Sequence, residues 1–434
     1  MHLLTHLIIT VVAAAAAAVA ADIIAPKVMI FSMFTPEAQA WYDNFEHSGL
    51  GNLSAVKITS RGLSMLFSSI FCTQDASVCH VTVGEGEINA AASSMALLLS
   101  PAFDLRATYF LLGGIAGVNP HRATLGSVAF ARYAVQVGLQ YEVDPRSAPD
   151  DWETGYISYG SDRPHQYPSV VYGSEVFELS TKLRDVAYDL ASTATLDDAD
   201  NARALRAQYA TGSAAAAAPP SLVKCDVTTS DVYFVGDELA REFDATTRIW
   251  TNGTGAYCMS AQEDNAILEV LVRGAADRLV DFARVVLLRA GANFDRPPPG
   301  VPIRDFMAEA AVQPSQAIAA QNMYSAGVQV VRGIVRGWDE TFARGLAPDN
   351  YVGDMLGRLG GEADFGTPEA RLDAQRQLLA TGSKGQARRR VQMQSREPET
   401  ETGPEEARRQ ERQRRQTWQE RRGRETTVVA NARL

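Results

Sequence analysis

Thr108-Tyr-Phe-Leu-Leu112, running directly into Gly113-Gly-Ile-Ala-Gly117, is the stretch that decides the fold. An apolar run of strand length ends in a turn where three of five residues are glycine. α/β proteins place ligands at such turns, outside the carboxyl ends of their sheet strands. Upstream, residues 79–83 read as another strand, Gly84-Glu-Gly-Glu87 as its turn, and residues 88–99 as an alanine-rich helix. Further upstream, residues 27–31 read as a buried strand, and Pro36 opens a helical pattern through Ala38, Trp41 and Phe45. Downstream, residues 127–137 read as a fourth strand, 181–210 as helical and 211–220 as a loop. Residues 231–236 and 285–289 read as further strands, flanked by helices over 262–279 and 316–338. Strand and helix alternate with no linker-like break. The expectation is a single layered α/β domain over residues 22–366, with a large mixed central β-sheet flanked by helices.

The remaining composition narrows the class. Of 434 residues, 46% are hydrophobic, enough for a large core, and the net charge of −10 argues against nucleic acid or an anionic membrane as partner. Residues 1–21 read as a signal peptide: Leu3 to Val19 is almost wholly apolar and Ala18-Val19-Ala20 has the small-x-small cleavage pattern. A membrane anchor is the competing reading, since no Lys or Arg precedes the apolar run. No later segment approaches the about 20 apolar residues of a spanning helix, so a secreted, extracellular or cell-wall location is expected, with no integral membrane segment in the mature chain. Four cysteines suit an oxidising compartment. Cys72 and Cys79 bracket a short polar loop, which leaves Cys225 with Cys258. Asn52-Leu-Ser54 and Asn252-Gly-Thr254 are glycosylation acceptors. Residues 367–434 are dominated by Arg, Glu and Gln and read as a disordered tail, a dispensable extension rather than a nucleic-acid-binding arm. The six histidines show no ligand spacing, so neither a metal nor a cofactor is expected.

Two acids beside the Gly84–Glu87 turn would repel a phosphate and suit a polyhydroxyl ligand such as ribose. Glu37 stands at the first strand-to-helix junction, and Glu263-Asp264 precede an apolar helix. Each also fits a plain helix cap or a complement to the helix dipole.

The strings Gly84-Glu-Gly-Glu-Ile-Asn-Ala-Ala91, Gly113-Gly-Ile-Ala-Gly-Val-Asn-Pro120, Tyr257-Cys-Met-Ser-Ala-Gln-Glu-Asp-Asn265 and Asn293-Phe-Asp-Arg-Pro-Pro-Pro-Gly300 closely resemble the fungal and bacterial purine nucleoside permease family, as does the stretch from Gly353 to Gly366. That family in turn looks like a branch of the nucleoside phosphorylase and nucleosidase superfamily. The resemblance implies a phosphorylase-like fold and a purine nucleoside as partner, with phosphate a second candidate and an oligomer left open. It implies that Gly113, Gly114 and Gly117 support purine and sugar, with Gly86, Glu87 and Met259 among the substrate-binding residues. The Gln262-Glu263 pair then takes the place of a Met-Glu pair whose glutamate holds the ribose hydroxyls. Asn293 falls at the purine, with Asp295 in reserve. Many relatives carry Ser-Asp where this chain has Ala292-Asn293, which removes an acidic proton donor. The turn Ser32-Met-Phe-Thr-Pro-Glu37 lacks a phosphate-cradling glycine, and Glu37 falls where nucleosidases of this fold keep the base that activates water. The implied activity is cleavage of the N-glycosidic bond, by hydrolysis rather than phosphorolysis. The alternative is a non-catalytic nucleoside-binding protein that assists transmembrane transport.

Overall fold

The computed structural model describes residues 23–310, 315–363 and 365–366. The signal-peptide and tail expectations therefore fall outside the described residues. The chain opens with β1 (Val28–Ser32) and α1 (Thr35–Asn44), where Pro36 sits in the first turn. A meander follows: β2 (Val56–Thr59), β3 (Ser69–Cys72) and β4 (Val78–Thr82). Next come α2 (Glu87–Leu98), the long β5 (Tyr109–Val118), β6 (Val128–Phe130) and β7 (Tyr133–Gln136). A ribbon of β8 (Tyr141–Glu142) and β9 (Tyr156–Ile157) precedes β10 (Val176–Glu178), α3 (Thr181–Ala191), α4 (Asp200–Ala207) and α5 (Ala214–Ala217). The remainder is β11 (Leu222–Lys224), β12 (Asp226–Thr229), α6 (Asp237–Trp250), β13 (Tyr257–Ala261), α7 (Asp264–Ala276), β14 (Val285–Phe294), α8 (Ile303–Ala310), α9 (Gln316–Arg336) and β15 (Gly353–Asp354).

Among the described residues, thirteen of these strands join one mixed sheet. β4, β1, β5 and β14 run parallel side by side, and β7, β12 and β13 form a second parallel block. The blocks meet antiparallel where Met259 and Ser260 pair Val118 and Gly117. The central strands are continuous apolar runs because both faces are covered. Their period-2 alternation sorts side chains into two layers. Met29, Phe31, Phe110, Leu112 and Leu287 pack with α2 and α7. Ile30, Tyr109, Leu111, Val286 and Leu288 pack on the other face with α1, α3 and α9. The layered α/β architecture with a large mixed sheet is thus the one the sequence calls for. Disulfides join Cys72 to Cys79 across β3 and β4, and Cys225 to Cys258 beside β12 and β13. Among the described residues no helix is long and apolar enough to cross a membrane.

Several local expectations are corrected. Residues 231–236 are irregular rather than a strand, with Val232 and Tyr233 exposed; the strand there is β12, built on the β-branched Val227-Thr-Thr229. Residues 127–137 split into β6 and β7, which pair with different neighbours. Residues 181–210 break after Ala191, and β2 has no counterpart among the expected strands.

Candidate functional site

The carboxyl ends of β1, β5, β12, β13 and β14 converge where the two parallel blocks meet, the position at which open α/β sheets leave a crevice. A cavity of about 300 Å³ lies there, its walls including Glu37, Gly117, Ser260, Gln262, Glu263 and Asn293. Residues from positions 37, 117, 263 and 293 therefore share one pocket.

Glu37 lies in the first turn of α1, yet its side chain turns inward and is 1% exposed. Its Oε2 accepts from the Met33 N–H at 2.7 Å and its Oε1 from the Ile115 N–H at 2.7 Å. The glutamate thus caps the turn before its own helix and also reaches across to β5. Burial pushes its pKa up to about 7, against the pull of the Arg289 guanidinium and the two amides.

Arg289 is the residue that sequence reasoning missed. It is 1% exposed in the middle of β14, and it lines the cavity. Its Nε donates to both Asp264 oxygens at 3.2 and 3.1 Å, its Nη2 to Glu263 Oε2 at 3.2 Å, and its Nη1 to the Ile115 carbonyl at 3.1 Å. Burial works against this charge, but Asp264 and Glu263 outweigh it and hold the guanidinium protonated. The available signal was a lone cation inside the apolar string Val285-Val-Leu-Leu-Arg-Ala290, since charges are almost never buried unless paired.

Glu263 directly precedes α7, and its side chain makes no capping hydrogen bond to that helix. Its Oε1 accepts from the Gly86 N–H at 3.1 Å, which ties the Gly84–Glu87 turn to the site. Burial raises its pKa and Arg289 opposes the rise. Asp264 does more than complement the helix dipole, because it is the main partner of Arg289. Gln262 lines the cavity and donates to the Asp231 carbonyl at 2.8 Å.

The glycines of β5 act through what they lack. A Cβ at Gly114 would overlap Arg289 Nη1 and lie 2.6 Å from Glu37 Oε1, and one at Gly117 would overlap the Ser260 hydroxyl. Gly113 lies against the Met323 sulfur on the opposite face, outside the cavity. A bulge between Gly291 and Asn293 breaks the β14–β5 register. In consequence the consecutive residues Ala292 and Asn293 both line the cavity, which a regular strand forbids. The Asn293 amide donates to the Phe294 carbonyl at 3.1 Å and meets the Tyr233 hydroxyl.

Like Gly113, the expected Gly86 and Gly114 do not line the cavity, and three further expected residues stand outside it. Asp295 is buried behind it, accepting from Tyr257 Oη at 2.6 Å and from Arg296 Nε at 2.7 Å, so its lone pairs are already engaged. Met259 is wholly buried in β13. Glu87 turns away to a neighbouring groove and accepts from Gln136; Glu85 faces the cavity instead. Asn52 and Asn252 are exposed. Among the described residues no group of His, Cys, Asp and Glu is arranged to hold a metal ion.

The site is thus a crevice at the junction of two parallel strand blocks of an α/β fold, walled by carboxylates and one buried arginine. The sequence model of the purine nucleoside permease family matches residues 25–347, and the chain belongs to that family. It is 43% identical over 349 residues to the purine nucleoside permease of Candida albicans, spanning 79% of this chain and 83% of the relative. It is 38% identical over 325 residues to a probable purine nucleoside permease of Schizosaccharomyces pombe, spanning 73% and 91%. Among solved structures it is similar to a 5′-methylthioadenosine/S-adenosylhomocysteine nucleosidase of Neisseria meningitidis, at a TM-score of 0.41 and 14% identity over 72% of this chain and 100% of the other. A futalosine hydrolase of Helicobacter pylori gives 0.42 and 14% over 72% and 97%. At such scores the likeness carries no inference about what this chain does.

Proposed function

We propose that the cavity binds a purine nucleoside and that a secreted form of this protein cleaves the N-glycosidic bond with water. The observation that carries this reading is Glu37, a buried carboxyl facing the cavity with its pKa raised to about 7. A general base works best when its pKa lies near the working pH, and such a base contributes roughly 10²–10⁴-fold.

Cleavage passes through an oxocarbenium-like sugar while negative charge develops on the departing purine. Glu263, fixed by Arg289 and the Gly86 amide, suits the ribose hydroxyls and favours positive charge on the sugar. Asn293 at the far wall offers an amide to the purine, and Glu37 takes the proton of the attacking water. Hydrolysis is favoured over phosphorolysis on charge grounds. Glu37, Glu85 and Glu263 all line the cavity, and its one arginine is already held by Glu263 and Asp264. A phosphate dianion would meet net repulsion.

A second reading, capture of nucleoside without turnover in support of a separate transporter, is favoured by the names of the relatives. Base release from inosine, guanosine and adenosine, with and without phosphate, separates the two. Release without phosphate is expected. Micromolar binding without release would favour capture, and release only with phosphate would end the role of Glu37 as a water-activating base. Glu263→Gln should weaken nucleoside binding under both readings.

A further inference from the structure

His80 takes no part in the site described above, yet it is wholly buried in β4 and hydrogen-bonded through both ring nitrogens. Its Nδ1 lies 2.8 Å from the Tyr42 hydroxyl and its Nε2 lies 3.0 Å from Ser32 Oγ. Ser32 is the last residue of β1, wholly buried, and it directly precedes Met33, whose N–H holds Glu37 Oε2. Tyr42 stands on α1, the helix that carries Glu37 in its first turn. The three side chains therefore close a ring: strand end, imidazole, helix, and back along the chain through residues 33–41.

We propose that the Ser32–His80–Tyr42 strut positions Glu37, by locking α1 against the carboxyl end of β1 so that the carboxyl meets both backbone amides. The proposal rests on the reading of Glu37 as the site's base and extends the machinery to a residue outside the cavity.

Burial lowers the imidazole pKa to about 3, so the ring is neutral and has one donor and one acceptor nitrogen. A neutral ring bridging two hydroxyls is satisfied in either tautomer: the N–H donates to one oxygen and the bare nitrogen accepts from the other. Aromatic packing fixes the ring plane, with the Tyr42 ring 5.0 Å from that of His80 and 5.4 Å from that of Phe71. Proton transfer through His80 is not invoked. The strut acts through geometry, because the burial that raises Glu37 persists only while the turn stays closed. The other groups that set the Glu37 titration are Arg289 on β14, Glu263 at the start of α7 and the Ile115 amide on β5, and none belongs to the strut.

The test is the titration midpoint of Glu37, read by ¹³C NMR of the carboxyl-labelled full-length protein with Glu37→Gln as the assignment control. Tyr42→Phe and Ser32→Ala each delete one link by removing a single oxygen. His80→Leu deletes both, and His80→Gln retains a donor and an acceptor. In the first two variants the midpoint should fall by about one pH unit as water reaches the carboxyl, and His80→Gln should lie closer to wild type than His80→Leu. A lowered melting temperature with an unmoved midpoint in Tyr42→Phe and Ser32→Ala would make the strut merely structural and overturn the proposal. If His80→Leu does not fold, these two variants still decide it. A wild-type midpoint near 4.5 would instead remove Glu37 as a neutral-pH base, a distinct failure of the underlying reading.

Discussion

Replacing Glu37 by glutamine has an energetic signature that can be worked out from the site before any substrate is added. The folded protein holds this carboxyl at a pKa of about 7, against 4.5 as its ordinary value. Between those two pH values the folded state keeps a proton that the unfolded chain has released. Wild-type stability therefore falls as pH climbs through this window, and the loss is complete above pH 7. A carboxyl held near pH 7 rather than 4.5, at about 1.36 kcal/mol per pH unit, corresponds to about 3 kcal/mol. The amide side chain does not titrate, so the variant lacks this pH dependence. It does lose one of two acceptors, leaving the Met33 or Ile115 N–H unpaired at a pH-independent cost of about 1–3 kcal/mol. Urea denaturation of both proteins from pH 4.5 to 8.5 should show Glu37→Gln less stable at the acid end. The difference should swing by about 3 kcal/mol in its favour by the alkaline end. A difference that stays constant across the range would refute the claim that Glu37 is a buried, proton-binding carboxyl. In the same variant, hydrolysis should slow by about 10²–10⁴-fold.

Three further outcomes are expected. Arg289→Met leaves Glu263 and Asp264 buried without their cation. Equilibrium denaturation should show a loss of about 3–5 kcal/mol at neutral pH, and the Glu37 midpoint should rise, because the charge that pulls it down has gone. Gly114→Ala places a methyl against Arg289 and Glu37, so the protein should lose about 1–3 kcal/mol of stability and bind nucleoside more weakly by calorimetry. Replacing both Cys225 and Cys258 by serine opens a cross-link with a sequence separation of 33, which should cost about 3–4 kcal/mol in denaturant melts; an unchanged midpoint would mean the bond does not constrain the unfolded chain.

The legible part of this protein was local. Apolar strands ending in glycine, a proline opening α1, carboxylates at strand-to-helix junctions and a short loop between two cysteines are all signals carried by neighbours in sequence. They were enough for the layered α/β class and for Glu37 and Glu263 as candidate acids at strand-to-helix junctions; Gly117, Gln262 and Asn293, which share their pocket, were implied only by the resemblance to a known family. Glu85 and Glu87 were not distinguishable in this way, since the direction of each depends on partners elsewhere: Gln136 takes Glu87 away from the cavity. The stretch 231–236 misled because its apolar side chains serve the cavity wall and the surface rather than a strand.

What the tertiary structure alone decided is the chemistry of the groups. Glu37 finds its amide 78 positions away on β5, Glu263 finds its own 177 positions away, and Arg289 reaches back 25 and 26 positions to two acids. Acidity depends on desolvation and on the charges within a few ångströms, and a chain fixes neither until its distant segments have packed together. Sequence thus determined which side chains were available at the ends of the strands. Folding determined which of them were dry, which were paired, and which were left with a proton affinity near neutrality.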